Sequence, residues 1–204
     1  MANQIAGVYE KIIECAKKEF LEKGFLNASL RTIAAAADTS TGSIYTRFGD
    51  KEGLFDAIVS PAIDGLKSMF LSIQDDFHSF PADVQKESMG KYTKSRIQDM
   101  IDFIYDNYDE FRLLLDASYG TEYQSFLDEL VDIEVDYTYR YMKVTGCRST
   151  ENGEVSETFI HIIVTAYFNG FFEIIRHQMP KNEAERYVAM LSDYHMAGFS
   201  TVLY

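Results

Sequence analysis

Proline and cysteine are scarce in this 204-residue chain, three of the first and two of the second. Few prolines leave long stretches free to be helical, and a hydrophobic share of 47% excludes an intrinsically disordered chain. Two cysteines, Cys15 and Cys147, cannot form the framework of a small secreted domain. Cys15 sits beside Ala16 in an apolar helical pattern and reads as a buried, reduced thiol. Long hydrophobic runs are missing too. The longest uncharged stretch, Thr158 to Phe172, is fifteen residues and includes His161 and Asn169, short of the roughly 20 that a membrane span needs. The start "MANQIAGVYEKII" has neither the basic head nor the apolar core of a signal peptide. A soluble cytoplasmic protein with no membrane partner is expected. Basic charge is the last deficit: 19 Lys and Arg against 32 Asp and Glu leave a net −13. That balance excludes indiscriminate coating of nucleic acid or anionic membrane.

The charge is unevenly placed. Residues 1–51 carry seven basic and six acidic side chains, while the remaining 153 carry twelve and twenty-six. A near-neutral head on an acidic body predicts two regions with different partners, divided as 1–50 and 51–204. Apolar residues recur at helical spacing throughout and no run alternates with period two. The expected fold is all-α, about nine helices, with a three-helix head and a larger helical body. Val8, Ile12, Ala16 and Phe20 share one face of a first helix that Gly24 ends. Ser29, Ser40 and Asp50 stand where N-caps of the second, third and fourth helices belong. The fourth helix is expected to run through Pro61 toward Phe77. Asn182 with Glu185 reads as a cap pair for the last helix.

Residues 41–48, "TGSIYTRF", place Ile44 and Phe48 on one side and Gly42, Ser43 and Thr46 on the other, flanked by Tyr45 and Arg47. Two short helices joined by "DTS" make a helix-turn-helix, whose second helix enters a major groove. Ser40 opens that helix, and Gly42 lets a surface approach its backbone. Ser43, Thr46, Thr41 and Arg47 are candidates to read bases. Arg31, Tyr45 and Lys51 are candidates for phosphate, Lys51 at a helix N-terminus.

The joint pattern over residues 12–55 resembles the DNA-binding domain of TetR/AcrR (tetracycline-repressor-like) transcription regulators. The resemblance rests on Ala16, Phe20, Lys23-Gly24-Phe25, Ser29, Ile33-Ala34, Ser40, Gly42, Tyr45, Phe48, Lys51, Glu52 and Leu54. It implies Tyr45 and Lys51 on phosphates, Thr46 and Ser43 near bases, and a homodimer built mainly from the last two helices. Asp38-Thr39 stand where the family usually has Gly-Val; Asp tolerates a left-handed turn better than most residues.

The helix expected over residues 154–177 is apolar nearly all round, so it must be buried nearly all round, one side against a partner subunit. Phe159, Ile163, Ala166, Tyr167, Gly170 and Ile174 are its interface candidates, joined by Tyr187, Leu191, Tyr194 and Gly198 of the last helix. A dimer would bind a palindromic double-stranded operator. The body's aromatic residues suggest a pocket for a small apolar or aromatic effector. Candidates are Met100, Tyr105, Tyr108, Phe111, Tyr123, Phe126, Tyr141, Phe168, Phe172 and Glu173. An inward-facing carboxylate among Asp116, Glu122, Glu134 or Glu173 would select a cation, with Glu173 first because its helix is otherwise apolar. His161, His177 and His195 match no metal-ligand spacing. No nucleophile elbow, phosphate loop or carboxylate pair emerges, so no enzyme, cofactor or metal is expected. The reading is an effector-controlled DNA-binding regulator, a repressor. The alternative, a helical small-molecule or protein-binding module without DNA-binding activity, would show little salt dependence.

Overall fold

The structure, a computed structural model, describes residues 2–148 and 151–204. Among the described residues there are nine α-helices and no strand: α1 (Ala2–Asn27), α2 (Leu30–Ala36), α3 (Thr41–Phe48), α4 (Lys51–His78), α5 (Ala82–Asp106), α6 (Tyr108–Arg112), α7 (Phe126–Thr145), α8 (Glu157–Arg176) and α9 (Lys181–Leu203). A π-helical turn, Leu113–Ala117, continues α6, and a 3₁₀ turn, Glu122–Ser125, precedes α7.

Local chemistry sets the early boundaries. Gly24 bends α1 with φ 70°, a left-handed conformation open to glycine. Ser29 and Ser40 accept the N–H groups of Thr32 and Ser43, and Asp50 accepts that of Gly53 at 2.8 Å. Asp38 takes φ 53° at the α2–α3 corner. One later boundary differs from expectation. Pro180 opens α9 and no side chain caps it, because proline's fixed φ already suits a helix start. Thr121 caps the 3₁₀ turn by accepting the Tyr123 N–H. As expected, α4 continues through Pro61. Cys15 is half-buried, more open than its apolar neighbours suggested.

The chain forms two compact units, Met1–Asp64 with Asn107–Phe126, and Gly65–Asp106 with Leu127–Tyr204. The first therefore takes in residues 51–64 and 107–126 as well as the charge-defined head. Its core is Ile12, Ala16, Phe20, Ile33, Ile44, Leu54 and Phe55, all fully or nearly buried. Phe20 and Phe55 meet edge to face at 5.1 Å. The 107–126 segment is tied in by a Lys17–Glu110 ion pair and by the Tyr123 hydroxyl, which donates to Asp56. Burial and that acceptor hold the Tyr123 hydroxyl far above the ordinary phenol range.

In the second unit α8 supplies Ile160, Val164, Phe168, Phe171, Phe172, Ile174 and Ile175 to the interior. By length and mean hydropathy alone α8 could cross a membrane. The interior role accounts for those seven residues, while Phe159 and Ile162 of the same helix are exposed. A Cβ on Gly65 would come within 2.5 Å of the Phe103 ring, so glycine is what lets α4 and α5 close up here.

Candidate functional site

The expected reading helix is built in the first unit. Ile44 is fully buried, and Phe48 is half-buried with its ring 5.3 Å from that of Tyr9. These two anchors turn Gly42, Tyr45, Thr46 and Arg47 to solvent, with Thr41 and Ser43 partly exposed. Arg31 is exposed on α2 and Ser40 caps α3. The face is pre-ordered by its own contacts. The Thr46 hydroxyl donates to the Gly42 carbonyl at 2.8 Å, and the Arg47 guanidinium donates to the Ser43 carbonyl at 3.2 Å and to its hydroxyl. Lys51 is engaged within its own unit. Its ammonium donates to the Leu26 and Ala28 carbonyls at 3.0 and 3.3 Å and lies 4.7 Å from the Phe25 ring centre. The free carbonyls at the end of α1 attract the cation that was expected to point toward phosphate.

The second unit encloses a cavity of about 130 Å³ walled by α4, α5, α7, α8 and α9. Phe70, Ile73, Gln74, Phe77 and His78 come from α4, and Met89, Tyr92, Thr93, Arg96, Ile97 and Met100 from α5. Glu134, Tyr137, Thr138 and Tyr141 come from α7; Val164, Tyr167, Phe168 and Phe171 from α8; Ser192, His195, Met196 and Phe199 from α9. Of the pocket candidates, Met100, Tyr141 and Phe168 are here. The rest are elsewhere. The Tyr105 hydroxyl donates to the Met179 carbonyl at 2.7 Å, and Phe172 is fully buried in the packing of α8. Tyr108, Phe111, Tyr123 and Phe126 belong to the first unit, where Phe111 and Phe126 are core. Glu173 pairs with Arg176 at 2.9 Å and His177 at 3.0 Å, on the polar side of α8.

The carboxylate that does face the cavity is Glu134, half-buried as a residue with its carboxylate end turned inward. Its Oε2 accepts a hydrogen bond from the Gln74 side-chain amide at 2.5 Å. Burial pushes its pKa up to about 7 against the opposing pull of that bond. Sequence periodicity held the signal: one turn away on either side stand Leu130, Val131, Tyr137 and Thr138, all buried. The corresponding neighbours of Glu173 are Asn169, Gly170, Arg176 and His177. Burial lowers His195, whose ring lies 4.5 Å from that of Tyr167. Burial also lowers His78, with the Arg140 charge adding to it and Asp75 opposing. Tyr167 shares a 3.0 Å hydrogen bond with Ser192, and its pKa is pushed up to about 12, mainly by burial.

The interface candidates divide. Phe159, Ala166, Tyr194 and Gly198 are exposed, Tyr194 at 81%. Exposed Ile162 and Met190, not anticipated, join the same two helices. Ile163 is partly exposed. Ile174 is fully buried and Tyr167 lines the cavity, so both serve their own subunit. Gly170, Tyr187 and Leu191 bind α8 to α9 within the chain. The Tyr187 hydroxyl donates to the Gly170 carbonyl at 2.9 Å, and Leu191 would sit 3.3 Å from a Cβ at Gly170. At Gly170 the close approach is between α8 and α9 of one chain. No group of three metal-ligating side chains occurs among the described residues.

The sequence profile described as "Bacterial regulatory proteins, tetR family" matches residues 12–58, which span α2, α3 and the start of α4. The HTH-type transcriptional regulator SAS2464 of Staphylococcus aureus strain MSSA476 is 24% identical over 177 residues, covering 85% of this chain and 95% of that protein. Two solved structures share the fold. One is the TetR-family regulator PfmR of Thermus thermophilus, at TM-score 0.62, 18% identity and coverage of 90% and 92%. The other is NalD of Pseudomonas aeruginosa, described as the secondary repressor of the MexAB-OprM multidrug efflux pump, at TM-score 0.51, 17% identity and coverage of 90% and 93%.

Proposed function

We propose that the chain is a DNA-binding transcriptional regulator of the TetR family, not an enzyme, and that it acts as a cytoplasmic repressor released from its operator by a small molecule in the cavity of the second unit; the family profile over residues 12–58 and the 24% identical regulator support this reading. The observation that carries this reading is α3. A capped helix is anchored by Ile44 and presents Gly42, Tyr45, Thr46 and Arg47 with no aliphatic side chain to obstruct a groove. Two copies, joined through the exposed apolar residues of α8 and α9, would set two such helices about one turn of DNA apart, roughly 34–36 Å. A dimer seated over a promoter blocks it, which makes repression the economical sign of control.

Release is proposed to travel through α4, which contributes residues to both units, its first part following the reading helix and its last part walling the cavity. An effector that binds one setting of α4 better than another shifts the population of DNA-competent dimers. The test is a gel shift on DNA upstream of the chain's own gene. Wild-type protein should bind with affinity that falls steeply with salt, and Tyr45→Ala with Thr46→Ala should abolish the shifted band. Undiminished binding by the double variant would remove α3 from the interface.

A further inference from the structure

The cavity carries a carboxylate with no cation to balance it. Glu134 is hydrogen-bonded to the uncharged Gln74 amide and, among the described residues, takes part in no ion pair. Arg96 also lines the cavity, but its guanidinium lies 5.4 Å from the Tyr92 ring centre and 3.5 Å from Asp99, with 43% of the side chain exposed. Its Nε is buried with no hydrogen-bond partner, but Asp99 and solvent at the exposed end offset the charge, and Arg96 forms no ion pair with Glu134. The walls around Glu134 are aromatic, and a ring face attracts cations. Outside, Ile73 and Arg96 border a groove that also holds four aspartates; Asp99 pairs with Arg96 and Asp102 with Lys181 at 2.8 Å, which leaves Asp76 and Asp106 to draw cations toward the cavity.

We propose that the effector is a small aromatic amine bound as its ammonium ion, its ring among the aromatic side chains and its charge against the Glu134 carboxylate. This rests on the reading of the cavity as the effector site and adds the chemical class. Size agrees: about 130 Å³ is close to the roughly 150 Å³ of an apolar cavity that takes up benzene. One ring with a short arm fits; a fused multi-ring molecule does not.

The charge state of Glu134 gives the proposal a signature. The groups facing the cavity are Gln74 and His78 from α4, Arg96 from α5, Tyr137 and Tyr141 from α7, Tyr167 from α8, and Ser192 and His195 from α9. His78 and His195 are lowered and the tyrosines raised, so these stay uncharged near pH 7, while Arg96 stays cationic. Glu134, pushed up to about 7, is the group that changes charge there. An ammonium ion selects the carboxylate form, so binding at pH 7 expels a proton from the molecules that hold one. Affinity for the amine therefore rises with pH through about 7, and affinity for a neutral analogue does not.

The experiment is isothermal titration calorimetry of the full chain with phenethylamine, 2-phenylethanol and phenylacetate at pH 6, 7 and 8, in buffers of different ionisation enthalpy. Phenethylamine should bind at least about tenfold tighter than 2-phenylethanol at pH 8, as expected of a charge-assisted hydrogen bond in a dry site. That preference should narrow at pH 6, with about half a proton released at pH 7. In Glu134→Gln the amine and the alcohol should bind alike, and an unchanged affinity for the alcohol reports an intact cavity. Equal binding of the two by wild type, preference for phenylacetate, binding of none, or an amine preference that survives Glu134→Gln would each overturn the proposal. Operator release is read separately by gel shift. Amine binding that leaves operator affinity untouched would uphold the ligand class and refute the regulatory reading.

Discussion

Replacing Glu134 by glutamine removes a charge that the ligand-free protein keeps at a cost, and the cost has a definite pH profile. The folded-state pKa is raised from 4.5 to about 7 by burial. Between those values the folded chain holds a proton that the unfolded chain has lost, so stability falls as pH rises through this window. The penalty is absent below about pH 4 and complete above about pH 8. At 1.36 kcal/mol per pKa unit it amounts to about 3 kcal/mol. Glutamine keeps the shape and can still pair with the Gln74 amide, but it carries no charge at any pH. Glu134→Gln should therefore match wild type at pH 4 and exceed it by about 3 kcal/mol at pH 8. Urea unfolding followed by far-ultraviolet circular dichroism at both pH values gives the comparison, because the difference between variants cancels the titration of every other group. A variant equally destabilised at both pH values would refute the reasoning, since it would show that hydrogen-bond geometry and not charge dominates at this position. The trade is a familiar one: a site that holds an unbalanced charge ready for a ligand gives up stability until the ligand binds.

The same approach separates packing from recognition in the first unit. A Cβ on Gly53 would overlap the Phe48 carbonyl oxygen, so Gly53→Ala must force α3 and α4 apart and should cost about 2–3 kcal/mol and most of the operator affinity. Gly42→Ala meets nothing closer than the Ser40 hydroxyl at 3.7 Å, so thermal unfolding should be unchanged while gel-shift affinity drops; a fall in stability there would show that Gly42 serves the fold and not close approach to DNA. On the proposed dimer face, Ile162 is 57% exposed in the single chain. Ile162→Glu should leave the monomer folded and weaken dimerisation by at least about a hundredfold in sedimentation equilibrium, since each buried, unpaired carboxylate costs several kcal/mol. An undisturbed dimer would place the interface elsewhere.

Legibility in the sequence followed the range of the interaction. The caps at Ser29, Ser40 and Asp50 depend on groups within a few residues, and each stands where the pattern put it; Gly24, expected to end α1, interrupts it with a left-handed kink before Asn27. Charge set a boundary after residue 50, but it could not assign residues 51–64 or 107–126. The apolar content of the second stretch suits any interior, and what fixes it in the first unit is Phe111 in its core and pairings such as Glu110 with Lys17, ninety-three residues apart. Lys51 was drawn to distant carbonyls for the same reason.

Periodicity likewise says that a residue is buried and not what it is buried against. Tyr167, Gly170 and Ile174 lie on the apolar surface of α8 as expected, yet they meet the cavity, α9 and the core of their own unit rather than open surface. The two glutamates sharpen the point. Glu173 looked singular because its whole helix is apolar, whereas what matters is the composition of the one face a side chain shares. By that measure Asn169, Arg176 and His177 mark the side of Glu173 as wet, and Leu130, Val131, Tyr137 and Thr138 mark that of Glu134 as dry. A carboxylate on a dry face has to be neutralised by a proton, by a protein cation or by a ligand. With no protein cation paired to it among the described residues, its proton is the one a bound cation would replace.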